Sequence, residues 1–276
     1  MTELLKFVGK SGLKNPTMVV GWDDDAGQLG TKITEYLTNT LGGHKFCEID
    51  PVKFSPLNGV AIENDVVQFP ESLFFACPEQ DLLVLQSTIP RYDWFKFLNL
   101  IIDVARDHCN VREIYAVGGM IAITPHTAPR DMWATFGSTQ IKKSLSSYEL
   151  SREMDYETPP GGRPTLNAFL LWIAKTRQLA GANLWVPVPF YLVDFDDLRG
   201  HKRILEFLDD RLDLELDFSE IDNNIKKQDR KLNRLRRDVP EIEQYLTKLE
   251  NGQPLSEEEH ENMIKVVGEY LKRRDF

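Results

Sequence analysis

The stretch "VVGWDDDAGQLGTK", Val19 to Lys32, decides how the first half of the chain folds. Apolar residues run into a short polar turn with Gly27 and Gly30, and a helical pattern follows. That is the outline of a strand, a tight loop and a helix packed on one another. Asp23, Asp24 and Asp25 occupy the position where a phosphate-binding loop presents free N–H groups. A dinucleotide fingerprint needs three glycines, and only the last two are present; a Walker loop needs Gly-Lys-Ser/Thr, which is absent. Like charges ~4 Å apart repel by about 4 kcal/mol at an effective dielectric of 20, so a bare phosphate is disfavoured. The aspartates instead suit a capping role, accepting the unpaired N–H groups of a first helical turn. The alternative is a cation held by the three carboxylates that meets a phosphate indirectly.

Outward from this loop, short runs rich in β-branched and aromatic residues read as buried strands: 17–22, 44–49, 72–77, 81–87, 113–119 and 182–188. Between them, 91–107 and 164–180 carry apolar residues at helical spacing, with Pro164 suited to a first turn and Gly181 to the stop. The alternation predicts an α/β domain with a mixed, largely parallel sheet and helices on both faces. After residue 215 the pattern becomes helical throughout. Ile221, Ile225, Leu232, Leu235 and Val239 form a heptad-like stripe that Pro240 interrupts. Ser256 three residues before Glu259 reads as a capping box. The expected organisation is therefore an α/β core over 1–215 and a C-terminal α-helical extension over 216–276, whose stripes must pack on the core, on each other or on another subunit.

The 276 residues are 42% hydrophobic and 28% charged, the composition of a globular protein, and no apolar run is long enough to span a membrane. The first twelve residues lack a signal-peptide core, and Cys47, Cys77 and Cys109 fit neither a disulfide framework nor a metal knuckle. A reducing cytoplasm is the expected location. A net charge of −10 argues against nucleic acid as the main partner. Two neighbouring blocks carry opposite sign: 206–220 has seven acidic side chains and one basic, and 226–237 has seven basic and one acidic. Solvated helix faces or intersubunit pairing account for such blocks.

Two further loops could carry chemistry. In 116–133 a strand ends at Gly118-Gly119, followed by His126, Thr127 and Arg130, which could grip an anion or polarise a carbonyl at the carboxyl end of the sheet. No nucleophile with a partner acid is assignable by spacing, and a hydrogen-bonded turn is the simpler role for the histidine. In 156–164, Gly161 and Gly162 could leave helix N–H groups open to an anion, or simply punctuate the chain. The five histidines show no metal-ligand spacing, so no metal and no cofactor are expected.

Four segments together, "GWDDDAGQLGTKITEYL", "VGGMIAITPHTAPR", "YETPPGGRPTLNAFLLWIAKTRQLAGANLWVPVPFYL" and "LSEEEHENMIKVVGEYLKR", resemble the bacterial branch of the proteasome assembly chaperone type-two family. The resemblance implies a core similar to the nucleoside phosphorylase fold, a helical C-terminal extension, protein partners and self-assembly, with a trimer favoured. It also implies that the Asp-Ala-Gly-x-x-Gly turn recurs without an established cofactor. Archaeal members that act on the proteasome end in a hydrophobic–Tyr–any tail; here the last three residues are Arg274, Asp275 and Phe276. The phosphate and purine contacts of the phosphorylases have no counterparts identifiable here, nor does a glycine-rich, lysine-bearing loop support an ATP-grasp ligase. The expectation is a non-enzymatic, self-associating protein; the rival is a small-molecule enzyme using the loops at the strand ends.

Overall fold

The computed structural model describes residues 4–55, 61–63, 65–151, 157, 161–162 and 164–272. The strands are β1 (Leu5–Phe7), β2 (Thr17–Trp22), β3 (His44–Ile49), β4 (Ala61–Glu63), β5 (Val66–Gln68), β6 (Ser72–Cys77), β7 (Leu82–Ser87), β8 (Glu113–Ala122), β9 (Trp133–Phe136) and β10 (Ala180–Pro189). Eight of them form one sheet in the order β1-β3-β6-β7-β2-β8-β10-β9, and β4 and β5 form a separate hairpin. The four central strands β7, β2, β8 and β10 run parallel; both flanks are antiparallel. The sheet is thus mixed, and its parallel centre is the part that needs crossover helices.

The helices are α1 (Leu29–Thr40), α2 (Trp94–Asp103), α3 (Thr139–Ser144), α4 (Leu166–Thr176) and α5 (Leu198–Leu212), followed by α6 (Ser219–Asp238), α7 (Pro240–Glu250) and α8 (Glu257–Lys272). The central strands are buried on both faces, and alternate residues serve two cores. Met18, Val20 and Trp22 of β2 join the layer under α2 and α4, while Val19 joins α1 and α5. The second layer is thicker. Ile221, Leu232 and Leu235 of α6 belong to the same continuous apolar cluster as Leu184 and Val186 of β10, together with Leu246, Met263 and Val267 from α7 and α8. The stripe in α6 is therefore covered largely within the chain, with Ile225 and Val239 half-buried at its margin.

Local signals explain several boundaries. Thr165 caps α4 by accepting the Ala168 N–H at 3.1 Å. The capping box forms as read: the Glu259 N–H donates to Ser256 Oγ at 3.2 Å, and the Ser256 N–H to Glu259 Oε2 at 2.9 Å. Pro240 opens α7 rather than merely ending α6. Gly181 does not stop a helix: α4 ends at Thr176, Gln178 takes a φ of 60°, and Gly181 lies inside β10. A Cβ on Gly181 would sit 2.7 Å from the Leu171 side chain, so the glycine serves helix–strand packing. Among the described residues, no helix is long and apolar enough to cross a membrane.

Candidate functional site

The three aspartates leave the end of β2 in three different settings. Asp23 Oδ1 accepts the Ile89 N–H at 3.0 Å, tying the loop to the segment after β7. Asp24 is exposed. Asp25 turns inward, and its Oδ2 accepts the Gly30 N–H in the first turn of α1 at 3.0 Å and the Gly119 N–H of β8 at 2.8 Å. The carboxylate thereby takes the place a bound anion would take at a helix start. Its other oxygen, Oδ1, is buried with no hydrogen-bond partner among the described residues. Burial pushes the Asp25 carboxyl up to about 6; the Gly119 and Gly30 amides pull it back, and the charges of Asp24 and Asp23 raise it further.

The glycines are what allow this approach. A Cβ on Gly119 would lie 2.1 Å from the Ala26 carbonyl, and one on Gly118 would lie 3.0 Å from Asp25 Oδ2. Gly21 and Gly30 are in mutual contact where α1 crosses β2: a Cβ on Gly21 would fall 2.2 Å from the Gly30 carbonyl oxygen. Gly27 has a φ of +69°, its N–H donates to the Val193 carbonyl at 2.9 Å, and its own carbonyl lies 3.2 Å from His201 Nε2. Burial holds the His201 imidazole below its usual range, so it meets that carbonyl as a neutral N–H donor.

Above this loop, at the carboxyl ends of β2 and β8, lies a cleft of about 640 Å³. Asp23, Asp24, Asp25 and Asp194 make it acidic, while Ile89, Ile121 and Trp22 supply apolar wall. On the opposite side, Asn167 in α4 accepts the Trp22 indole N–H at 2.5 Å and donates to Asn183 Oδ1 at 3.0 Å. Neither Asn167 nor Asp194 is among the residues singled out from sequence. A polar residue on the otherwise apolar inner face of 164–180 is the one available signal for Asn167; nothing local distinguishes Asp194.

The other predicted residues stand elsewhere. His126, Thr127 and Arg130 line none of the cleft. The His126 N–H donates to the Tyr191 hydroxyl at 2.6 Å, and that hydroxyl lies 2.9 Å from His126 Nδ1. Burial brings the His126 imidazole down to about 4, so it is neutral at pH 7 and shares one hydrogen bond with the tyrosine hydroxyl through Nδ1. Arg130, buried, makes a two-toothed pair with Asp197 at 2.7 and 3.1 Å and donates to the Ala128 carbonyl at 2.8 Å. Thr127 Oγ1 donates to Glu250 Oε1 of α7 at 3.0 Å. Arg236 of α6 reaches the same Glu250 at 2.8 Å and also pairs with Glu243. This loop is thus a clasp between the α/β body and the C-terminal helices.

Gly161, with a φ of +80°, and Gly162 are exposed and do not line the cleft. Tyr156, Thr158, Pro159, Pro160 and Arg163 of the same loop lie outside the described residues, as do Arg274, Asp275 and Phe276. The three cysteines are buried, which pushes the thiols of Cys77 and Cys109 up to about 11 and that of Cys47 up to about 12, far from a reactive thiolate. Among the described residues no group of three or more His, Cys, Asp or Glu is arranged to hold a metal.

A parallel-centred mixed sheet, helices on both faces, a Gly-supported aspartate turn at the end of β2 and an outer layer of C-terminal helices define one class of α/β protein. The PAC2 family model matches residues 18–236, and the chain belongs to the PAC2 family. Solved structures share the fold. A Corynebacterium glutamicum protein of unknown function superposes with a TM-score of 0.75 at 17% identity, covering 90% of this chain and 96% of its own. A Mycobacterium tuberculosis proteasome-assembly chaperone homologue gives 0.69 at 19%, covering 84% and 100%. A Pyrococcus furiosus archaeal proteasome activator gives 0.67 at 22%, covering 84% and 98%. At such identities these likenesses establish the fold alone. No curated protein matches the chain in sequence.

Proposed function

We propose that this chain is a non-enzymatic, self-associating cytoplasmic protein that binds protein partners, similar in role to the proteasome-assembly chaperone homologues that share its fold. One observation carries the reading. Four of the side chains singled out for chemistry at the strand ends are committed to holding the fold: Asp25 on two backbone amides, His126 on Tyr191, Arg130 on Asp197 and Thr127 on Glu250. Groups so engaged are held away from a substrate, and the acidic cleft repels phosphate. The core over 1–215 and the extension over 216–276 act in this reading as body and partner-facing layer. A trimer is the assembly that the family resemblance favours.

A second reading, a small-molecule site in the cleft, is supported by the unpartnered Asp25 Oδ1 and the elevated proton affinity of that carboxyl. Affinity purification of the tagged full-length chain from its own host, with mass spectrometry of the eluate, separates the two. Reproducible, near-stoichiometric protein partners are expected. Recovery of the chain alone with a co-purifying nucleotide or nucleoside would favour the second reading instead.

A further inference from the structure

The two charged blocks become surfaces with definite positions. On α6, Lys226, Arg230 and Arg234 follow one another at four-residue spacing, and all three are exposed. They make no ion pair or hydrogen bond among the described residues, whereas Arg199, Lys202 and Arg236 around them are each paired with a carboxylate. Like charges at i and i+4 destabilise a helix. The macrodipole does not account for the row either, because its effect is confined to the final turn, where Arg236 and Arg237 already stand.

The acidic block is displayed as firmly. In the turn between α5 and α6, Leu214 and Leu216 are buried while Asp213, Glu215 and Asp217 point to solvent, an alternation that fixes the carboxylates outward. The Leu216 N–H donates to Asp209 Oδ1 at 2.9 Å and holds the turn. Asp210 and Glu220 extend the acidic surface onto both helices.

Among the described residues, the acidic turn of one protomer makes no ion pair with the basic row of its own α6. At 1.5 Å per residue the basic row lies about 10–20 Å along α6 from Glu220, beyond a Debye length of about 8 Å at physiological salt. A second copy can bring the two signs together. We infer that the acidic α5–α6 turn of one copy pairs with the basic row of α6 on another, so that α6 is the self-association surface of this chain. The inference rests on the self-associating reading proposed above and adds the surface and the partner to it. Because each copy carries both signs, a two-fold arrangement makes the contact twice, and a head-to-tail ring makes it once per interface.

Two charge-reversed full-length variants test this by light scattering at matched micromolar concentration. Arg230→Glu/Arg234→Glu removes the basic surface, and Asp210→Lys/Glu215→Lys removes the acidic one. These side chains are exposed and make no contact that the fold uses, and circular dichroism checks that each variant is folded. Arg230→Gln/Arg234→Gln is the milder substitute should reversal prevent folding. Each variant alone is expected to show self-association weakened at least about tenfold, and a one-to-one mixture to regain association between unlike copies, as closed assemblies where the copy number is even and as open pairs where it is three. Full assembly by either variant alone, or a mixture that stays dissociated, overturns the inference while self-association stands. A wild-type chain that remains a monomer across the concentration range overturns both.

Discussion

The Asp25 carboxylate accepts the Gly119 amide at 2.8 Å, joining the turn after β2 to the neighbouring strand β8 across 94 residues of sequence. The same oxygen accepts the Gly30 amide, so one side chain satisfies the start of α1 and anchors the loop to the sheet. A stretch with the outline of a phosphate loop is built around its own anion.

That anion has a pH signature. The Asp25 carboxyl is raised from 3.8 to about 6 in the folded chain, so between roughly pH 4 and 6 the folded state holds more protons than the unfolded one. Its contribution is present below about pH 4 and is lost as pH rises through 6, on the order of 3 kcal/mol in all. His126 works in the opposite sense. Its folded value of about 4 lies below 6.5, so its contribution is full above 6.5 and is lost as pH falls toward 4. Urea unfolding across pH 4–7 should show Asp25→Asn removing the alkaline loss and His126→Asn removing the acid loss. Parallel profiles for wild type and both variants would refute these assignments.

The glycines offer a sharper contrast. Gly119→Ala places a methyl 2.1 Å from the Ala26 carbonyl and must displace the Asp25 loop, with an expected destabilisation of about 3 kcal/mol or more. Gly268→Ala in α8 meets nothing within 4 Å and should stabilise by about 0.5–1 kcal/mol. Thermal unfolding of the two variants checks both signs at once.

The clasp contains a buried ion pair, Arg130 and Asp197, with side chains only 2% and 1% exposed. Arg130→Met alone leaves a buried carboxylate uncompensated and should destabilise by about 3–5 kcal/mol. Arg130→Met with Asp197→Leu should recover most of that loss. A double variant as unstable as the single one would mean that the loop geometry, not the charge pair, matters.

Much of this architecture is legible in the residues. The runs 17–22, 44–49 and 72–77 become β2, β3 and β6 at those bounds, because a buried strand needs only a short apolar run and flanking turns. β1 and β9 are edge strands of three and four residues whose existence depends on a partner, and no local pattern marks them. α5 is obscured by its charges: the acidic block hides the inward residues Ile204, Leu205 and Leu208. Gly181 misleads because a glycine that ends a helix and one that lets a helix lie on a strand look alike in sequence. At the site, the capping role of the aspartate turn follows from local chemistry. Its second acceptor contact, to Gly119, depends on the strand order, which places β8 beside β2. The same holds for His126, Thr127 and Arg130, whose partners Tyr191, Glu250 and Asp197 lie at least 65 residues away.

Removing the chain after residue 215 would strip Ile221, Leu232, Leu235 and the cores of α7 and α8 from the cluster beneath them. Each such side chain contributes about 1.5–3 kcal/mol when buried, and the face left on α5 would be apolar. The truncated chain should keep α/β circular dichroism yet be less soluble or changed in assembly mass. An equally soluble product with unchanged mass per assembly would make the extension a passive appendage.

The most direct test of the central claim, that the turn after β2 is filled by its own carboxylate and the chain acts on proteins, is thermal unfolding of the full-length chain with and without MgATP. A nucleotide at 100-fold over its Kd stabilises a folded protein by ~2.7 kcal/mol, a readily measured rise in melting temperature. No shift is expected. A saturable rise, abolished by Asp24→Ala, would contradict it and place a nucleotide in the acidic cleft.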